Sequence, residues 1–213
     1  MTLLQIKAGQ KVDQTAGAES LLCIFHGYGA DRENLYDIGL ALSQTFPEKL
    51  IIIPNALQRF EGGMGGYQWF SLRDYRQEAM AEELFKVAPL VTAWLKKRLI
   101  ENSLSEKQLE LVGFSQGAML ALYLTATHLI QPRAVLSYSG LFIPPKLPSP
   151  NEKSTKLLAI HGSEDPVLTL DMAKNSYNNL EKFGLKYKLI IEKGLAHYIN
   201  DRGIKAGLDF LAD

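Results

Sequence analysis

Leu109-Glu110-Leu111-Val112-Gly113-Phe114-Ser115-Gln116-Gly117-Ala118-Met119-Leu120-Ala121-Leu122-Tyr123-Leu124 is the stretch on which the reading of this chain turns. A short apolar run leads into a glycine-flanked serine, and a second, longer apolar run follows. The pattern predicts strand, very tight turn and helix, with Ser115 at the apex. Glycines two residues to either side fit that geometry, because a side chain there would collide with the adjoining strand or helix. The turn lifts Oγ above the end of the sheet and aims the Gln116 N–H, at the helix N-terminus, toward a developing oxyanion. Taken alone, the G-x-S-x-G pattern fits an ordinary strand-to-helix loop equally well, so the rest of the chain decides.

Outward from that turn, strand-like and helix-like segments alternate almost throughout. Strands are expected at 21–25, 50–53, 109–112, 134–138, 156–160 and 186–191. Helices are expected at 31–46, 76–100 (disturbed near Pro89), after Ser115, at 170–183 and at 204–211. Continuous apolar strands separated by helices imply a mostly parallel central sheet with helices on both faces. In such sheets the site lies beyond the carboxyl ends of the strands. The loops at 26–30, 54–75, 113–117, 139–155, 161–168 and 192–199 all belong to that end. The Pro-rich stretch from Ile143 to Pro150 reads as a stiffened surface loop rather than a linker.

At 213 residues, with 46% hydrophobic and 22% charged residues, the chain suits one soluble domain spanning residues 1–213. Lys+Arg and Asp+Glu balance at 23 each, which argues against nucleic acid or an anionic membrane as partner. The single cysteine, Cys23, excludes an intrachain disulfide and reads as a small buried hydrophobe. Met1 to Gln10 lacks the apolar run of a signal peptide, and no segment has the length of a membrane span, so a cytoplasmic protein is expected.

A serine hydroxyl needs a base, and the base needs a group that fixes its tautomer. On a sheet carrying an elbow serine the order is serine, acid, histidine. That order removes His26. His128 falls near the far end of the helix that starts at the elbow and suits its dipole. His161 would need an acid between itself and Ser115, for which Glu152 is a poor candidate. His197, in the loop after the last strand, is therefore the candidate base. Asp165, after a buried strand and held extended by Pro166, is preferred as the acid over Glu164 and Asp171, although an Asx turn is the plainer explanation of an Asp-Pro pair. His26-Gly27-Tyr28-Gly29 follows an earlier strand, and its glycines leave the Tyr28 N–H free as a second oxyanion donor.

With these pieces assembled, the sequence resembles the phospholipase/carboxylesterase family of α/β-hydrolases, which includes acyl-protein thioesterases and small bacterial carboxylesterases. The matching stretches are His26-Gly27-Tyr28-Gly29, Trp69-Phe70, Gly113 to Ala118, His161-Gly162 with Asp165-Pro166-Val167, and Gly194 to His197. The resemblance implies an α/β-hydrolase fold, a triad of Ser115, Asp165 and His197, an oxyanion hole from Tyr28 and Gln116, and no metal or organic cofactor. Two departures bear on specificity. Ala30 precedes Asp31 where many members place Asp directly after the glycine, and Ser71 follows Trp-Phe where many carry Asp.

The expected reaction is acyl transfer from a small-molecule ester to water through an acyl-enzyme on Ser115. Lysophospholipase or acyl-protein thioesterase activity is the first alternative, and a non-catalytic binding protein on the same scaffold is the second. Trp69, Phe70, Leu72, Leu141, Phe142 and Ile143 stand near the site ends of strands and are candidates for an acyl pocket, with core packing the competing role. An exposed apolar rim would serve either an acyl chain or a homodimer partner.

Overall fold

The computed structural model describes residues 1–7, 9–12, 17–146 and 154–213. In chain order the elements are β1 (Leu3–Lys7), β2 (Gln10–Lys11), β3 (Ser20–Phe25), α1 (Tyr36–Thr45), β4 (Lys49–Pro54), β5 (Gln58–Arg59), β6 (Tyr67–Gln68), α2 (Gln77–Glu101), β7 (Leu109–Phe114), α3 (Gln116–Ala126), β8 (Ala134–Tyr138), β9 (Lys156–Gly162), α4 (Leu170–Tyr177), β10 (Lys188–Glu192) and α5 (Asp201–Ala212). Eight strands form one sheet in the order β10-β9-β8-β7-β3-β4-β1-β2. The six from β10 to β4 are parallel, while β1 and β2 add an antiparallel margin beside β4. This is the α/β-hydrolase arrangement.

The burial follows from the sequence. β4 and β8 are buried along their whole length because helices cover both sides of the sheet. Alternate side chains then divide into two cores. Leu21, Cys23, Phe25, Leu109 and Leu111 pack with α2, α3 and α4, whereas Leu22, Ile24, Ile51, Ile53 and Val112 pack with α1 and α5. Cys23 is fully buried, and burial raises its thiol pKa well above the ordinary value, as suits a packing residue. Every residue of α3 is buried, which fixes the helix behind Ser115.

The structure also departs from the sequence reading. Leu3–Lys7 forms a strand that the reading overlooked; only Leu4 and Ile6 point inward, too short an alternation to stand out. The 31–46 helix begins as a 3-10 turn, Arg32–Leu35, capped by Asp31. The 170–183 helix ends at Tyr177 and resumes as a 3-10 turn, Leu180–Phe183. Pro89 does not break α2. It lies on the solvent face, one turn after exposed Phe85, whose carbonyl loses only the N–H donor that proline lacks. Within the expected 54–75 loop, residues 60–66 form the turn of a small β5–β6 hairpin. Of the Pro-rich stretch, residues 147–150 lie outside the described residues, as does Glu152.

At the end of the sheet away from the site, Glu110 accepts hydrogen bonds from Lys49 Nζ at 2.9 Å and from Arg133. Both cations also donate to the Leu211 carbonyl in the last turn of α5, at 3.1 and 3.0 Å. The carboxylate and the helix terminus thus share two positive charges, and α5 is tied to the sheet.

Candidate active site

The turn between β7 and α3 holds Ser115 at φ 53° and ψ −116°, a region that costs a residue with a side chain about 1–3 kcal/mol. The surroundings hold it there. Its N–H donates to the Tyr138 carbonyl at 2.9 Å, and its own carbonyl accepts from Ala118 and Met119. A Cβ on Gly117 would run into the Phe25 carbonyl, and one on Gly113 into the Ala118 backbone. The glycines therefore permit the close approach that the sequence pattern implied.

Three of the candidate residues meet. His197 Nε2 lies 3.0 Å from Ser115 Oγ, and His197 Nδ1 lies 2.7 Å from Asp165 Oδ2. An ionised carboxylate only accepts, so Nδ1 carries the proton and the Nε2 lone pair faces the hydroxyl. Asp165 Oδ1 accepts the N–H groups of Val167 and Leu168 at 2.9 and 2.8 Å. The Asx turn weighed from the sequence is thus present alongside the histidine contact. Burial raises the Asp165 pKa, but the hydrogen bonds from His197, Leu168 and Val167 outweigh it and hold the carboxyl below its ordinary range.

The other candidates are engaged elsewhere. His26 donates Nδ1–H to the Gly27 carbonyl at 2.8 Å and accepts the Ala56 N–H at Nε2, so it is a neutral, buried brace for the loop. Burial lowers its pKa. His161 donates Nε2–H to the Leu168 carbonyl at 2.7 Å, and burial lowers its pKa as well. His128 pairs with Gln131 beyond the end of α3. Glu164 is exposed, with its N–H on the Leu195 carbonyl, and Asp171 is exposed in the first turn of α4.

Gly27 packs against Phe114 and Ser115, bringing the 26–30 loop beside the elbow. Among the described residues, the backbone N–H groups of Tyr28 and Gln116 donate to no protein acceptor. The Gln116 side chain has a part that the sequence reading missed. It is fully buried, accepts the Trp69 N–H at 2.8 Å and donates to the Phe70 carbonyl at 2.7 Å, tying the 69–70 segment to the elbow.

Beside Ser115 and His197 opens a cleft of about 450 Å³, walled by Leu72, Met119, Leu141 and Leu168. Leu72 and Leu141 were expected there. Trp69, Phe70, Phe142 and Ile143 were candidates too, but they belong to the core. Trp69 is fully buried, donates Nε1–H to the His26 carbonyl at 2.9 Å and meets Phe25 edge to face at 4.9 Å. Phe142 turns inward onto Phe183. The wall also includes Met80, Met119 and Met172, which the reading missed. For Met119 a signal existed, since a residue four after the elbow serine returns to the same side of the helix. A second cleft, of about 340 Å³, lies beyond Phe114 and His197 and includes Asn34, Ile38 and Tyr198. Ala30 borders both clefts, while Asp31 is committed to capping the following turn.

Comparison with known proteins extends this picture. The family described as Phospholipase/Carboxylesterase matches residues 9–213. Esterase YpfH of Escherichia coli (strain K12) is 27% identical over 194 residues, covering 91% of this chain and 82% of that protein. Acyl-protein thioesterase 1 of Kluyveromyces lactis is 23% identical and covers 91% of each. Among solved structures, esterase PE8 superposes with a TM-score of 0.81 at 29% identity, covering 98% of this chain and 96% of that one.

Proposed function

The chain belongs to the phospholipase/carboxylesterase family, and from that membership we propose that Ser115, His197 and Asp165 are its catalytic triad, with the Tyr28 and Gln116 N–H groups as the oxyanion hole. The protein is a serine hydrolase of the carboxylesterase/thioesterase type. The observation that carries the residue assignment is the hydrogen-bonded line from Asp165 through His197 to Ser115, at 2.7 and 3.0 Å.

Ser115 Oγ attacks the carbonyl carbon of an ester as its proton passes to His197 Nε2, and Asp165 stabilises the resulting imidazolium. The oxyanion takes the two backbone N–H groups, each worth about 3–4 kcal/mol in comparable sites. Collapse of the tetrahedral intermediate breaks the bond to the leaving oxygen, which receives the proton from His197. Water then attacks the acyl-enzyme by the same route, releasing the acid and restoring Ser115. A thiolate leaves without that proton because thiols ionise near pH ~8.5, so the same residues serve thioesters. The apolar wall of the larger cleft favours acyl chains, which keeps the acyl-protein thioesterase reading beside the carboxylesterase one.

The same reading treats residues 1–213 as one domain acting on small-molecule esters in the cytoplasm, a reducing compartment that suits the lone buried Cys23. Exposed Tyr75, Val167 and Met172 form an apolar rim that serves the acyl chain or a second copy of the chain. Hydrolysis of p-nitrophenyl esters of graded acyl length, by wild type and Ser115→Ala, tests the assignment. Activity is expected to vanish in the variant, with a fluorophosphonate probe labelling Ser115 in wild type alone. Equal activity in both proteins would remove Ser115 as nucleophile.

A further inference from the structure

Glu61 stands at the start of the hairpin turn after β5, with its side chain only 13% exposed. Its carboxylate gathers donors from two separate segments. Tyr28 Oη–H donates to it at 2.7 Å, the Leu72 N–H at 2.9 Å and Ser71 Oγ–H at 2.8 Å, while Arg73 Nε lies 3.2 Å away. The Glu61 N–H in turn donates to Gln68 Oε1 at 2.8 Å, closing the hairpin beneath it. Burial raises the Glu61 pKa, but the hydrogen bonds from Tyr28, Leu72 and Ser71 outweigh it and hold the value at about 2, so the group stays charged. Tyr28, in turn, sits between Gly27 and Gly29, neighbours that leave its peptide plane poorly fixed by local sterics. The same peptide is held at its Gly27 carbonyl by His26 Nδ1–H at 2.8 Å and the Ala30 N–H at 3.3 Å, and the hairpin bonds Gly29 and Ala30. The Tyr28 side chain adds a further hold, packed edge-on against Phe60 at 4.8 Å and bonded to Glu61.

We propose that Glu61 is a positioning residue of the esterase, acting through the Tyr28 phenol to aim the Tyr28 N–H at the oxyanion while its bond to Leu72 keeps the cleft wall in register with that loop. The inference rests on the assignment of the Tyr28 N–H as an oxyanion donor. It also explains Ser71. A hydroxyl there donates to Glu61, whereas an aspartate would set a second carboxylate against it. Position 71 is thus neutral because position 61 carries the charge.

The test compares Tyr28→Phe, Glu61→Ala, Ser71→Asp and the double variant Ser71→Asp/Glu61→Gln, with Ser115→Ala as control. It reads kcat and KM on a p-nitrophenyl ester, affinity for a boronic acid that forms a tetrahedral serine adduct, and thermal unfolding. Tyr28→Phe and Glu61→Ala are expected to lower kcat by about 10- to 100-fold, the scale of a catalytic group displaced by about an ångström. Adduct affinity should fall in parallel, and KM should change little in Tyr28→Phe. Ser71→Asp should impair kcat, and Glu61→Gln added to it should restore much of the loss. A kcat within twofold of wild type in folded Glu61→Ala, or a double variant no better than Ser71→Asp, overturns the proposal even with Ser115→Ala inactive. Activity retained by Ser115→Ala overturns instead the Ser115 nucleophile on which the oxyanion reading of Tyr28 depends.

Discussion

Asp165 divides its carboxylate, with Oδ2 2.7 Å from His197 Nδ1 and Oδ1 on the N–H groups of Val167 and Leu168. The division determines what an amide would do in its place. In Asp165→Asn the two backbone donors hold the amide oxygen, so the NH₂ group faces His197. Nδ1 must then accept, which places the proton on Nε2 and leaves no lone pair toward Ser115. The variant is expected to fold normally and to lose about 10⁴-fold in kcat, the scale seen for the wrong tautomer in a triad. Steady-state kinetics with circular dichroism check it; a loss below tenfold would sink the tautomer argument.

Gly162 closes β9 beneath the loop that carries His197, and a Cβ there would collide with the Leu195 carbonyl. The two loops are also joined by the Glu164 N–H on Leu195 O at 3.0 Å and the Gly194 N–H on Ser163 Oγ at 2.8 Å. Gly162→Ala must therefore push the histidine loop away from Asp165. We expect kcat to fall about 100-fold and stability to fall by about 1–3 kcal/mol. Kinetics and urea unfolding on the same preparation measure both.

Trp69 and Leu141 separate core from pocket. Trp69→Ala empties a buried, hydrogen-bonded site and should cost about 3–5 kcal/mol, leaving the acyl-length preference of the folded enzyme unchanged. Leu141→Trp instead fills part of the cleft and should move the optimum toward shorter acyl chains. If Trp69→Ala shifts the length profile instead, the cleft boundary drawn at Leu72 and Leu141 is misplaced.

Buried His26 and His161 make stability depend on pH near neutrality. Burial lowers the pKa of each below its ordinary value of 6.5, so between that value and the depressed one the unfolded chain binds protons that the folded protein does not. Stability should therefore fall as pH drops below 6.5, with a slope of up to about 1.4 kcal/mol per pH unit for each proton. Glu61 contributes nothing to this window. Its depressed pKa makes its share of stability complete above its ordinary 4.5 and lost only as pH falls toward about 2. Urea unfolding at pH 5.5, 6.5 and 7.5 reads the slope, and a flat profile would contradict neutral, buried imidazoles.

Several elements were legible because their causes are local. A glycine two residues to either side of Ser115 is demanded by contacts with the strand and helix on which the serine sits. The order of Ser115, Asp165 and His197 follows from successive strands delivering their loops to one end of a parallel sheet. Asp165 and His197 lie in loops after β9 and β10, which are direct neighbours, so sequence order and spatial order coincide. Glu61 was not legible. Its partners at 28, 68 and 71–73 converge only when the hairpin folds over the 26–30 loop.

Apolar runs that bury both faces are enough to specify the parallel sheet, and sterics acting over five residues are enough to specify the elbow. The direction of each neighbouring side chain depends instead on contacts made in the folded protein. Trp69 and Leu72 are three residues apart on one segment, yet Trp69 is drawn into the core by the His26 carbonyl and the Phe25 ring while Leu72 faces the cleft. That division depends on the path of the backbone past distant partners, including the Gln116 side chain that grips residues 69 and 70. Periodicity reports which residues share a face of a strand or helix; a loop has no period, so its side chains take their directions from long-range contacts.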